Sequence, residues 1–281
     1  MTILVTGTSG QLGRLVVEAL LDRGVAADRI VATARDTSAV ADLAARGVVT
    51  RAADYEDPAS LDAAFAGVDT ALLVSSNAVG QRVAQHRNVI EAAARAGVSL
   101  VAYTSLLGAD TSDLILAAEH TATEDLLRAS GVPHVLLRNG WYVENHTAQL
   151  PAAVIHGSAG DGRISGATRA DYAEAAAVVL TSPDQAGKVY ELGGDTAYTL
   201  ADLAAEAGAQ SGAPVAYRDL SPADHVAALT AAGLPAPFAE VLADSDRGVR
   251  EGRLRTDSRD LSTLIGRPTT PLSDAVKSAL A

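Results

Sequence analysis

Short, uninterrupted apolar runs alternate with stretches of helical spacing through the first half of the chain. Residues 2–6, TILVT, make the first run, and behind it Leu12, Leu15, Val16, Ala19 and Leu20 recur on one face of a helix over 12–21. The same alternation predicts strands over 29–34, 48–53, 69–75, 99–104 and 134–138, and helices over 37–46, 58–65, 80–96 and 112–129. The strands are continuously apolar instead of alternating, which is the pattern of a parallel sheet covered on both faces. Right-handed crossovers make such a sheet doubly wound.

From Trp141 onward the pattern loosens. It predicts a helix over 149–155, a flexible segment around Gly157, Gly160 and Gly162, and a helix over 170–180 opened by a capping-box-like Thr168 and Asp171. A strand over 188–192 returns to the main sheet. Residues 200–280 read as short helices punctuated by Pro214, Pro222, Pro235, Pro237 and Pro268, with no internal repeat. The expected fold is α/β: a Rossmann-like doubly wound parallel sheet with a smaller, mostly helical C-terminal lobe. Residues 1–142 form the dinucleotide-binding domain, to which the chain returns around 167–195, and residues 143–281 form mainly a substrate-binding lobe.

Chemistry enters at the first strand-to-helix junction, where Gly7, Gly10 and Gly13 form G-x-x-G-x-x-G. Gly7 can turn with positive φ, Gly10 lacks the Cβ that would keep a pyrophosphate from the backbone, and Gly13 lets helix and strand approach. Unpaired N–H groups at the helix start then face phosphates. The second strand ends in Arg35, where a site reserved for NAD would place Asp or Glu; a guanidinium suits a 2′-phosphate, although Asp36 follows at once. Ligands of such sheets lie beyond the carboxyl ends of the strands. Those exits hold Asp54 and Tyr55, Ser75, Ser76 and Asn77, Thr104 and Ser105, and Asn139, Gly140, Trp141 and Tyr142. Each small polar group taken singly caps a helix as readily as it binds a ligand. As a set they favour a cofactor groove.

The 281 residues carry 22 basic against 34 acidic side chains, a net charge of −12, which argues against nucleic acid or an anionic membrane as main partner. No cysteine is present, and the six histidines show no close pair, so neither thiol chemistry nor a metal site is expected. The chain enters a strand at its second residue and has no apolar run of transmembrane length; the expectation is a soluble cytoplasmic protein. Many reductases of this architecture protonate their product with a Tyr followed four residues later by Lys. Here the only lysines, Lys188 and Lys277, are preceded at that spacing by Asp184 and Ser273. Either a cofactor is bound without being used, or the substrate needs little help from an acid. Among single residues, His86 shares a face with Val79, Val83 and Ile90 and reads as packing, Trp141 reads as a core anchor, and Asp244 to Asp246 read as a solvated helix end. His120 lies on a face with Leu116, Glu124 and Leu127, where a structural and a catalytic role stand equal.

TGTSGQLG, GQRVAQHRNVIEAA, YTSLLGADTS, AEHTATE, LLRNGWYVEN, ATRADYAEAA, DSDRGVREG and LIGRPTTPL together resemble the NmrA-like, atypical short-chain dehydrogenase/reductase family. Within it the chain is most similar to the bacterial NADPH-dependent, zinc-independent quinone oxidoreductases, with the triphenylmethane reductases as neighbours. The resemblance runs nearly end to end, although residues 156–166 are shorter than in those relatives, which bears on the shape of the substrate pocket. It implies that Gly7, Thr8, Ser9, Gly10, Gln11, Leu12 and Gly13 hold the pyrophosphate of NADPH and Arg35 its 2′-phosphate. Ser75 and Ser76 would lie close to the cofactor sugars, and Thr104 is a further cofactor-binding candidate. Asn139, Gly140, Trp141, Tyr142, Glu144 and Asn145 with Arg169 would frame the nicotinamide, and His120 stands where more distant relatives place a lysine. A quinone also accounts for the missing acid, because its reduction leaves an oxyanion spread over an aromatic ring, with a conjugate acid like tyrosine of pKa about 10. Asn139, Tyr142 and Asn145 are then the candidates for hydrogen-bonding a quinone oxygen, and orientation on the nicotinamide is the main demand. Alternatives are reduction of triphenylmethane-type dyes and a non-catalytic NADP-binding redox sensor that touches a regulatory partner. The expected partner is a small quinone, with no nucleic acid, no membrane, and a homodimer as the assembly to test.

Overall fold

A computed structural model describes all 281 residues, Met1–Ala281. Its chain divides into two compact units. The first comprises Met1–Leu106, Glu119–Arg138 and Arg169–Tyr190, and the second Leu107–Ala118, Asn139–Thr168 and Glu191–Ala281.

The first half alternates strand and helix: β1 (Ile3–Val5), α1 (Gln11–Asp22), β2 (Ile30–Ala34), α2 (Ala41–Ala45), β3 (Val49–Ala52), α3 (Pro58–Phe65), β4 (Thr70–Leu73), α4 (Arg82–Ala96), β5 (Leu100–Leu106), α5 (Ile115–Ser130) and β6 (His134–Asn139). With β8 (Val189–Leu192) the strands form one sheet in the order β3-β2-β1-β4-β5-β6-β8. The pairings of β1 with β2 and β4, of β2 with β3, and of β4 with β5 are parallel, with Ile3 opposite both Ile30 and Thr70. Every residue of β1, β2 and β4 is buried, as two covered faces require. One face packs α3 and α4 through Leu61, Phe65, Val89 and Ile90, which meet Leu4, Leu73, Val101 and Tyr103 from the strands. On the other, α1 packs against α7 (Arg169–Thr181). Each large apolar side chain buried this way contributes about 1.5–3 kcal/mol. Local chemistry sets the ends: Asp57 caps α3 ahead of Pro58, and α4 stops at Gly97 in the left-handed region. The doubly wound sheet is therefore as the apolar runs predict, and β8 joins its edge.

The later chain departs from expectation. In place of a helix over 149–155 stand a short α6 (Val143–Thr147), a turn through Pro151, and β7 (Val154–Gly157). Proline cannot continue the helix, and Val154 with Ile155 favours the strand, which buries alternate residues. β7 pairs in parallel with β9 (Ala216–Asp219), a second sheet within the second unit that the sequence did not announce. Its strand AYRD is mostly exposed and carries no apolar periodicity. The remaining helices are α8 (Leu200–Ser211), α9 (Pro222–Ala231), α10 (Ala236–Arg250), α11 (Asp260–Ile265) and α12 (Leu272–Leu280). α9 packs on α10, and α12 on α6 and α8. No helix is long and apolar enough to cross a membrane.

Candidate active site

The strand order reverses between β1 and β4, and a ligand of an open parallel sheet lies at that switch. β1 leaves it through Gly7, whose φ of +63° suits glycine. A Cβ on Gly13 would stand 2.6 Å from the Gly7 carbonyl oxygen, so the helix can rest on the turn only without a side chain there. Gly10 is the N-cap of α1 in extended conformation, and no side chain caps the helix. Its first-turn amide hydrogens have no side-chain acceptor, and Ser9, Gly10 and Gln11 are exposed. Thr8 and Leu12 are buried instead: the Thr8 hydroxyl donates to Thr33 O at 3.0 Å and ties the turn to β2. Arg35 is exposed at the β2 exit. This corner can hold a pyrophosphate by backbone donors, with a guanidinium at the next strand exit.

β4 leaves the sheet beside that turn. Val74 N donates to Thr6 Oγ1 at 2.9 Å, and the Tyr55 hydroxyl, lodged under Gly7, donates to Val74 O at 2.8 Å. Thr104 is buried and its hydroxyl accepts from Ser75 N at 2.9 Å. Ser76 is held by α4: its N–H donates to His86 Nε2 at 3.0 Å, its carbonyl accepts from Arg82 Nε at 2.6 Å, and its hydroxyl donates to Gln85 Oε1 at 2.5 Å. The expectation that His86 is packing alone is corrected, since both ring nitrogens are bonded and Nδ1 lies 2.9 Å from Thr123 Oγ1. Burial, with the Arg82 charge adding to it, pushes the His86 pKa down to about 3. His120 is buried with Nδ1 2.7 Å from the Tyr103 hydroxyl. Burial, with the Arg82 charge adding to it, holds it well below its ordinary pKa, so it is neutral at physiological pH. Glu124, one turn on, accepts from Ser105 Oγ at 2.6 Å and from Arg138 Nε and Nη2 at 2.9 and 2.7 Å. Arg169 opens α7 in this same unit.

Asn139, Gly140, Trp141, Tyr142, Glu144 and Asn145 belong to the second unit. The segment is pinned by Gly140 N on Leu192 O at 2.7 Å and Val143 N on Ala167 O at 3.0 Å. Asn139 is buried; its Nδ2 reaches the Tyr142 hydroxyl at 3.5 Å and its Oδ1 has no hydrogen-bond partner. Trp141 is half-buried, its ring 6.3 Å from that of His146, which in turn bonds Tyr198.

Asp244 to Asp246 do not form a solvated helix end. Asp244 accepts from Ile115 N at 2.7 Å, and Asp246 is buried, accepting from Ser158 N at 2.6 Å beside His225 Nδ1 at 3.3 Å. α10 turns this carboxylate inward against the segment after β7, and burial raises its pKa to about 6 against the bond from Ser158. A cavity of about 380 Å³ in the second unit is lined by Arg163, Ser165, Arg255 and Arg259 among others; the first two belong to the short segment 156–166, and none of the candidate cofactor-binding or catalytic residues lines it. Sequence reading also missed the grip of Arg82, Gln85 and His86 on Ser76. The available signal was their i, i+3, i+4 spacing on the same buried face as Val89.

The NAD(P)H-binding family matches residues 7–183. Quinone oxidoreductase 2 of Escherichia coli is 54% identical over 278 residues, covering 98% of this chain and 97% of that one. The crystal structure of the Escherichia coli NADPH-dependent quinone oxidoreductase with NADPH superposes with a TM-score of 0.95 over 99% of both chains. The triphenylmethane reductase of Citrobacter sp. with NADP(H) is 37% identical, with a TM-score of 0.92 over 99% of this chain and 100% of that one.

Proposed function

Because the chain belongs to the NAD(P)H-binding family, we propose that it is an NADPH-dependent oxidoreductase that reduces quinones by two electrons. The observation that carries the cofactor half is the start of α1, bare of any capping side chain, at the point where the strand order reverses. Gly7, Thr8, Ser9, Gly10, Gln11, Leu12 and Gly13 supply the pyrophosphate seat, with Thr8 and Leu12 acting as its buried supports. Arg35 takes the 2′-phosphate, and the Ser75–Ser76 peptide and Thr104 shape the wall beside the sugar. Bound NADPH supplies the hydride, and a solvent proton completes the hydroquinone.

The acceptor half rests on chemistry. No lysine follows a tyrosine at the reductase spacing, and the buried imidazole of His120 is neutral, so no strong acid is at hand. A quinone oxyanion tolerates that. Asn139, Tyr142 and Asn145 are the groups we assign to the quinone oxygen, and Gly140, Trp141, Glu144 and Arg169 to the nicotinamide end. The Asn139 amide suits the task, because it holds an N–H for the developing oxyanion and an unpartnered buried oxygen for the hydroxyl that follows. A cytoplasmic location and a homodimer complete the reading; the latter is checked by sedimentation.

The test mixes purified protein with NADPH and small benzoquinones or naphthoquinones and follows the nicotinamide absorbance. Absence of enzyme-dependent depletion with every quinone removes the proposal. The likeness to the triphenylmethane reductase favours a second reading, reduction of flat cationic dyes. Turnover of a triphenylmethane dye with none of any quinone would replace the first with it.

A further inference from the structure

Every polar group of Ser76 is engaged. The three side chains that engage it, Arg82, Gln85 and His86, come from one turn of α4 and are all buried. The contacts are selective: guanidinium to carbonyl, amide oxygen to hydroxyl, imidazole Nε2 to peptide N–H. An Nε2 that accepts from a backbone N–H leaves the ring proton on Nδ1, which then donates to Thr123 Oγ1 at 2.9 Å; the Thr123 hydroxyl passes on to Glu119 O at 2.8 Å. The chain of donors and acceptors closes with His86 neutral, in one tautomer. A leucine would serve packing against Val89 and Ile90 as well, without the cost of burying an imidazole. What the imidazole adds is a fixed direction for the Ser75–Ser76 peptide.

That peptide adjoins the switch point. Val74 N and O are tied to Thr6 and Tyr55, and Gly7 and Val74 are neighbours, so the β4 exit forms one wall of the corner assigned above to the cofactor. We propose that His86 is a positioning residue for NADPH, fixing the Ser76 peptide and with it the β4 exit in the orientation the cofactor meets. The inference rests on the NADPH reading and adds a residue that touches neither cofactor nor substrate. Ser76 correspondingly contributes its backbone position, because its hydroxyl is already given to Gln85.

The experiment compares wild type, His86→Leu and His86→Gln at a temperature where far-UV circular dichroism shows each fully folded. It measures NADPH affinity by nicotinamide fluorescence and KM for NADPH and quinone separately. His86→Leu leaves the half-buried Ser76 N–H without its partner and is expected to raise Kd and KM for NADPH by about tenfold or more, with KM for the quinone moving less than about threefold. His86→Gln, whose amide oxygen reaches the Ser76 N–H, recovers most of that loss. A purely structural role would lower Tm with NADPH affinity intact; folded His86→Leu binding NADPH as tightly as wild type overturns the proposal. If His86→Leu does not fold, Thr123→Val decides, since it removes the acceptor of the Nδ1 proton: about a threefold or greater loss of NADPH affinity supports the role and an intact affinity ends it. Wild type that binds no NADPH defeats the cofactor reading itself. Wild type that binds NADPH and reduces no quinone defeats only the acceptor, and the titrations still decide on His86.

Discussion

Helices α1 and α8 begin in opposite ways. α8 opens on Thr199, whose hydroxyl accepts from Asp202 N at 3.0 Å while the Asp202 carboxylate accepts from Thr199 N at 2.9 Å, a closed capping box. α1 opens on Gly10 with no cap at all. Both helices run twelve residues and both bury leucines, so neither length nor amphipathicity accounts for the contrast. Glycine at the N-cap costs only a few tenths of a kcal/mol against Ser, Thr or Asp, so the bare end carries little penalty. α8 satisfies the Asp202 and Thr199 amides within its own first turn. α1 leaves its first-turn donors without a side-chain acceptor, which is what the phosphate seat proposed above requires.

Altering the two ends tests this contrast. Gly13→Ala should have the largest effect, because its Cβ would stand 2.6 Å from a backbone oxygen that cannot yield. We expect a loss of about 3 kcal/mol, read as a fall in Tm of about 6 °C or more, together with loss of NADPH binding. Gly10→Asp should make α1 resemble α8, since the N-cap backbone already lies in the extended region an aspartate accepts. The new Cβ would lie 3.2 Å from the Gly7 carbonyl oxygen, so the cofactor-free protein should gain at most a few tenths of a kcal/mol, while NADPH affinity falls about 100-fold as the carboxylate takes the amide donors and repels phosphate. Affinity surviving in that variant would make the turn merely structural. Arg35→Asp should lower the preference for NADPH over NADH by about 10- to 100-fold, the loss of a charge-assisted contact of about 1.5–3 kcal/mol. An unchanged preference reassigns the 2′-phosphate to another residue. Thr199→Ala should cost only about 1 kcal/mol in thermal or urea unfolding with NADPH titration unaffected, the converse of Gly10→Asp.

Much of this was legible in advance. The strands over 29–34 and 134–138 are found at Ile30–Ala34 and His134–Asn139, because a short apolar run bounded by turn residues is too brief for a helix and fits a strand covered on both faces. The glycine spacing likewise carried its own geometry, since a turn that needs positive φ and a helix that must touch it are short-range demands. The lobe was harder to read. β7 lay hidden in residues read as a helix, and β9 is too polar and too exposed to show a period; each exists because the other pairs with it, 62 residues apart at Val154 and Ala216. Asp246 reads as surface because carboxylates near a helix end usually are, and only the approach of Ser158 N, 88 residues away in the chain, turns it inward. His86 could be placed on a buried face from sequence, but not paired.

The chain by itself determined the order of strands and helices through its first half, the glycine turn at the first strand exit, and the absence of a Tyr–Lys acid, all properties of neighbours a few residues apart. Tertiary structure alone decided which buried polar groups meet: Ser76 with His86, Asn139 with an unanswered oxygen, Asp246 with Ser158. The reason is that a local period fixes which face of an element turns inward, whereas the partner of a buried donor is set by how distant segments pack, and no spacing rule along the chain records that.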